Sequence, residues 1–200
     1  ATLRKAIEQS MNIPTIKVLN EISIGLGYEY VQKFGITTLD DTDKYNESLA
    51  LGGIKNGVYN YELTAAYAAI ANGGSYYKPI LYTKVLDHDG NVLIDNTQKP
   101  VTVLKDTTAA LLTSAMEDVV SKGTAAPYAQ LNNMAVAGKS GTTSYNKDFW
   151  FSGYTPYYTC SIWLGYDDNK EMSGSNWYFH EKIWAKIMNR INSELNLPYH

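Results

Sequence analysis

The sequence predicts an α+β fold, an antiparallel sheet with flanking helices, and three observations carry that expectation. Three stretches that read as strands, Met134 to Thr142, Trp150 to Thr155 and Tyr158 to Tyr166, cluster late in the 200-residue chain. The last two are separated only by Thr155-Pro156-Tyr157, a tight connection that makes them antiparallel neighbours. Helical periodicity fills the sequence before and after this cluster, the arrangement of an α+β domain.

The elements follow in chain order. Leu3, Ala6 and Ile7 make a short helical face that ends near Ser10-Met11-Asn12. Pro14 suits the first turn of a second helix carrying Ile16, Leu19 and Ile22 inward, and Gly25 and Gly27 are expected to break it. Tyr28 to Phe34 reads as another short helix stopped by Gly35, and residues 37–59 as loop. Glu62 to Asn72 is an alanine-rich helix closed by Gly73-Gly74. Ile80 to Leu86 and Asn91 to Ile94 flank Asp87-His88-Asp89-Gly90, a hairpin signal because Asp-Gly tolerates positive φ. Asp106 is a candidate N-cap for a helix whose Leu112, Met116, Val119 and Val120 share a face, with Gly123 closing it. A last helix starts near Phe179, with Ile183, Ile187, Ile191 and Leu195 in one row.

Composition sets bounds. A hydrophobic content of 44% supports a core, and a net charge of −3 gives no support to nucleic-acid binding. No apolar run reaches the roughly 18 residues of a membrane span. Ala1-Thr2-Leu3-Arg4-Lys5 runs straight into an amphipathic pattern, so the start reads as an internal cut rather than a leader. Cys160 is the only cysteine, which excludes an internal disulfide; beside Tyr158, Ile162 and Leu164 it reads as a buried structural thiol.

The chemistry concentrates at Lys139-Ser140-Gly141-Thr142. A Lys-(Ser/Thr)-Gly-(Ser/Thr) string arises by chance in roughly one chain of this length in a hundred. A strand carrying Lys139 presents an ammonium to a substrate carboxylate, and the hydroxyls of Ser140 and Thr142 donate hydrogen bonds. Gly141 leaves room for a substrate backbone to align as an added strand. The same string also fits a strand running into a polar turn. Ser10-Met11-Asn12 is less specific, since serine and asparagine both cap helices.

Together these strings resemble the second and third signatures of the penicillin-binding protein and serine β-lactamase superfamily: Ser-x-x-Lys, Ser-x-Asn and Lys-(Thr/Ser)-Gly. Residues Ala1 to Asn20, Leu63 to Pro79, Gly123-Thr124-Ala125 and Trp150 to Tyr166 are similar, in that order, to the transpeptidase domain of class A penicillin-binding proteins. The first signature departs from the family. It should precede Ser-x-Asn by several dozen residues, and only nine residues precede Ser10. Ser75-Tyr76-Tyr77-Lys78 and Ser144-Tyr145-Asn146-Lys147 match the pattern in the wrong order. The resemblance therefore implies that residues 1–200 are the C-terminal portion of one transpeptidase domain, with the nucleophile segment upstream of residue 1.

It also implies roles. Ser10 would bridge protons between the absent lysine base and the leaving nitrogen, and Asn12 would hold the acyl-side amide of the substrate. Lys139 would supply positive potential for the carboxylate, with Ser140 and Thr142 bonding it beside Gly141. The backbone N–H of Thr142 would form one arm of an oxyanion hole. The implied activity is peptidoglycan D,D-transpeptidation, with D-Ala-D-Ala stem peptides and β-lactam antibiotics as ligands and the N-terminal remainder of the domain as partner. The implied setting is the extracytoplasmic face of the bacterial membrane, anchored outside this chain; no metal or organic cofactor is implied. A β-lactamase or β-lactam sensor shares the motifs, and a non-catalytic stem-peptide or β-lactam binding module is the reading from another class.

Competing constellations are weaker. His88 lies in a turn and His200 is terminal, so neither fits a Ser-His-Asp triad. Asp40, Asp41 and Asp43, and separately Asp167, Asp168 and Glu171, match no EF-hand spacing and read as solvated loops. Trp150, Tyr157, Tyr158 and Trp163 fall in strand patterns, where aromatics pack.

Overall fold

The computed structural model describes residues 1–174 and 177–199. Three helices, α1 (Leu3–Glu8), α2 (Asn12–Ile22) and α3 (Ile24–Lys33), open the chain and are followed by α4 (Asn60–Ala71). Four short strands come next: β1 (Ser75–Tyr76), β2 (Lys84–Leu86), β3 (Val92–Asp95) and β4 (Val101–Thr102). Helix α5 (Asp106–Ser121) leads into β5 (Ala137–Thr142), β6 (Asp148–Tyr154) and β7 (Thr159–Gly165), and α6 (Phe179–Glu194) closes the chain. The last three strands form one antiparallel sheet in the order β5-β6-β7, so the expected α+β fold is present and β5 is an edge.

The β6–β7 turn is built from its own side chain. Thr155 donates its N–H to Tyr158 O at 2.9 Å, while its hydroxyl accepts from the N–H groups of Tyr157 and Tyr158 at 3.2 Å each. Helix α6 packs against one face of the sheet. Trp184 meets Phe151 edge-on, with centroids 5.1 Å apart, and both side chains are fully buried. Val119, Val120, Ala125, Ala129, Val136 and Met188 complete this cluster. A second cluster joins Met116 of α5 to Ala137 and Tyr154 of the sheet, with the Tyr154 hydroxyl 2.7 Å from Thr113 Oγ1. The sheet is thus pinned from helices on both sides, and β5 is held where it carries its polar residues.

Several local expectations shift. Gly25 and Gly27 do not end a helix; both lie inside α3, and the break falls at Ser23, with φ +76°. A Cβ on Gly27 would stand 2.4 Å from Leu19 Cδ1, so α2 and α3 approach closely at this point. Asp106 is the first helical residue of α5 rather than its cap. Residues 41–45 and 47–51 form two 3₁₀ turns. There Asp43 accepts from the N–H groups of Asp40 and Lys55, so its carboxylate is structural. Among the described residues no group of three or more His, Cys, Asp or Glu side chains is placed to hold a metal ion.

The row expected on α6 also moves. The buried face is His180, Glu181, Trp184, Ala185 and Met188, whereas Ile187 and Leu195 are exposed. A row of every fourth residue rotates by about 40° per step, so it winds off a face that the 3.6 period keeps. Cys160 is half-buried against the α6 cluster, and burial pushes its thiol pKa up, as befits a packing residue. His88 is exposed in the β2–β3 turn beside Asp89, and His200 lies outside the described residues.

Candidate active site

Ser10 sits in the turn between α1 and α2. Met11 N–H bonds Ala6 O at 2.9 Å and Ser10 N–H bonds Ile7 O at 3.2 Å, the paired bonds of a Schellman helix stop. That motif places Ser10 at the left-handed position, φ +52°, where glycine is usual. Neither Ser10 nor Asn12 caps α2 through its side chain, so the capping explanation for Ser-x-Asn does not hold. Asn12 is solvent-exposed on the first turn of α2.

Lys139 lies on β5, distant in sequence from this turn, yet its Nζ donates to Ser10 Oγ at 2.9 Å and to Ser140 O at 2.9 Å. The fold therefore joins the two motif strings. Burial holds the Lys139 pKa down to about 8, partly opposed by the Glu181 carboxylate. Glu181, on the first turn of α6, is pushed up to about 7 by burial, with Lys139 pulling the other way. Its neighbour His180 is held down to about 4 by burial, and its ring lies 5.6 Å from that of Phe149, the cross-strand partner of Thr142.

The free edge of β5 has a defined polarity. Thr143 N–H bonds Asp148 O, one register step beyond the Thr142–Phe149 pair. Antiparallel rungs alternate, so Gly141 and Lys139 bond to β6 while the N–H groups of Ser140 and Thr142 point outward. A Cβ on Gly141 would meet only Trp150 Cβ, at an ordinary 3.5 Å, so the chain's own packing does not demand glycine there. Ser140 Oγ lies 3.0 Å from Thr124 Oγ1, just past α5. The result is an ammonium, hydroxyls and outward N–H groups along one open strand edge, a set of donors whose chemistry complements a carboxylate and an extended backbone.

The Penicillin binding protein transpeptidase domain matches residues 1–189. The chain belongs to this family. Penicillin-binding protein 1A of Clostridium acetobutylicum is 36% identical over 196 residues, covering 98% of this chain and 24% of that protein. Penicillin-binding protein 1F of Bacillus subtilis is 36% identical over 172 residues, 83% of this chain and 23% of that one. The chain thus spans about a quarter of the length of such relatives. Penicillin-binding protein 1A from Haemophilus influenzae superposes with a TM-score of 0.80 at 23% identity, over 96% of this chain and 34% of that one. The PonA1 protein from Mycobacterium tuberculosis in complex with penicillin V gives 0.82 at 22%, over 96% and 56%. These likenesses establish the penicillin-binding transpeptidase fold.

Within that family the two misplaced Ser-x-x-Lys strings have poor geometry. Ser75 lies in β1, paired with Thr102, and Lys78 follows in exposed irregular chain. Ser144 opens a single 3₁₀ turn kinked at Tyr145, φ +60°. Neither string sets its serine and lysine one above the other on a helix. Trp150 and Trp163 pack together with centroids 6.2 Å apart, so both serve the sheet. Two residues near the site carried little sequence signal. Thr124 stood out only within a resembling string, and Glu181 not at all, because its burial depends on where α6 docks.

Proposed function

We propose that this chain supplies the substrate-binding wall of a peptidoglycan D,D-transpeptidase whose acylating serine and lysine base lie in sequence outside it. The observation that carries the reading is the 2.9 Å bond between Lys139 Nζ and Ser10 Oγ, which unites two motifs from opposite ends of the chain. In the complete site the serine Oγ adds to the penultimate D-Ala carbonyl, the C–N bond breaks, and D-Ala leaves with a proton delivered through Ser10. An amine on a second stem then attacks the ester and frees the serine. Lys139, Ser140 and Thr142 hold the terminal carboxylate, Asn12 the acyl-side amide, and the outward Thr142 N–H meets the oxyanion. Such a donor contributes roughly 3–4 kcal/mol to the transition state.

The apolar side chains of Leu3, Ile13, Ile22 and Leu26 are exposed on α1, α2 and α3, and that of Met11 on the turn before α2, which supports packing of further domain sequence there. The reaction belongs outside the cytoplasmic membrane, where stem peptides are. Denaturing intact mass spectrometry after incubation with a penicillin tests the reading. A second polypeptide bearing the penicilloyl adduct, with this chain unmodified, is the expected result for a two-piece domain. An adduct on this chain would overturn the placement of the nucleophile, and reversible binding without any adduct would favour a binding module.

A further inference from the structure

The corner after α5 touches both motif strings at once. Thr124 N–H donates to Glu8 O at 3.2 Å, two residues before Ser10, and Thr124 Oγ1 lies 3.0 Å from Ser140 Oγ. Gly123 permits this approach, since a Cβ there would stand 2.4 Å from Glu8 O and 2.7 Å from Val119 Cα. The Glu8 end is itself fixed, its carboxylate held by Lys5 Nζ at 2.5 Å and Gln9 Nε2 at 2.8 Å. Ala125 is fully buried and donates its N–H to Val119 O, which anchors the corner from the other side.

A hydroxyl has one hydrogen to give and two lone pairs to receive. When Thr124 donates to Ser140 Oγ, Ser140 keeps its own hydrogen for an incoming anion. We propose that Thr124 is a positioning residue for carboxylate recognition: its hydroxyl sets the Ser140 rotor so that the Ser140 O–H faces the substrate. Its main-chain bond to Glu8 ties that rotor to the turn carrying Ser10. The inference rests on the reading of Ser140 and Lys139 as a carboxylate site.

The test measures second-order acylation of the full-length polypeptide bearing this sequence by benzylpenicillin and by its methyl ester, which lacks the anion. Thr124→Val should lose about five- to tenfold with the acid, the size of one neutral hydrogen bond, and under about twofold with the ester. Thr124→Ser, which restores the hydroxyl, should recover most of the rate. Adding Thr124→Val to Ser140→Ala should cost nothing further, because the interaction is already gone. Wild-type behaviour of Thr124→Val with the acid would overturn the proposal, as would equal loss on acid and ester. If Lys139→Ala and Ser140→Ala also leave the acid unaffected, or the wild type is not acylated, the carboxylate-site reading itself fails and takes this inference with it.

Discussion

Ser10 holds a conformation that glycine adopts at no steric cost, and its hydroxyl is the group that Lys139 bonds. Ser10→Gly should therefore lower penicillin acylation while leaving stability within about 1 kcal/mol of wild type in denaturant unfolding, because the relieved left-handed strain offsets the lost bond from Lys139. Unchanged acylation would remove Ser10 from the site. Lys139→Ala should cost roughly ten- to a hundredfold in acylation, as expected for a charged hydrogen bond, and Ser75→Ala should leave the rate unchanged. Equal losses from the two would sink the motif assignment. With its pKa held down to about 8, Lys139 is a cation below that pH and loses its charge above it. Carboxylate recognition should accordingly be complete at pH 6.5 and fade through about pH 8. Because the Glu181 carboxylate raises the Lys139 pKa, Glu181→Gln should shift the midpoint of the Lys139 Cε resonance downward.

At the scale of elements, the first turn of α6 buries two groups with opposed titrations. Glu181 has its pKa raised from 4.5 to about 7, so the folded state binds its proton more tightly and stability falls as pH rises through that window. His180 has its pKa lowered from 6.5 to about 4, so stability falls as pH drops below 6.5. The two slopes oppose each other where the windows overlap. Glu181→Gln should unmask the histidine slope and lose up to about 1.4 kcal/mol per pH unit, relative to wild type, on acidification below pH 6.5. Urea unfolding at a series of pH values reads this directly; parallel wild-type and variant curves would refute it. The same turn shows what periodicity misses. An isoleucine row marked α6 as a helix, but the buried stripe runs through His180, Glu181, Trp184 and Met188, since contact with Phe151 and Phe149 outweighs the apolar count of the row.

Across the whole molecule, stability is divided between a dense centre and an exposed ribbon. Phe151 and Trp184 are fully buried, whereas every residue of β2 and β3 is exposed. Amide exchange should be slowest in β6 and fastest in the β2–β3 ribbon, and comparable protection in both would contradict this division. The sequence by itself determined the α+β class, the antiparallel β6–β7 pair and the hairpin around Asp87 to Gly90, because alternation, short connections and Asp-Gly turns are local constraints. It also determined the two motif strings, whose residue types carry their chemistry wherever they lie. Only the tertiary structure decided that Ser10 meets Lys139, that Thr124 reaches Ser140, and that Glu181 is buried near the site. Those contacts join elements far apart in sequence, and their geometry follows from how α1, α5 and α6 pack on one sheet, which no local pattern encodes.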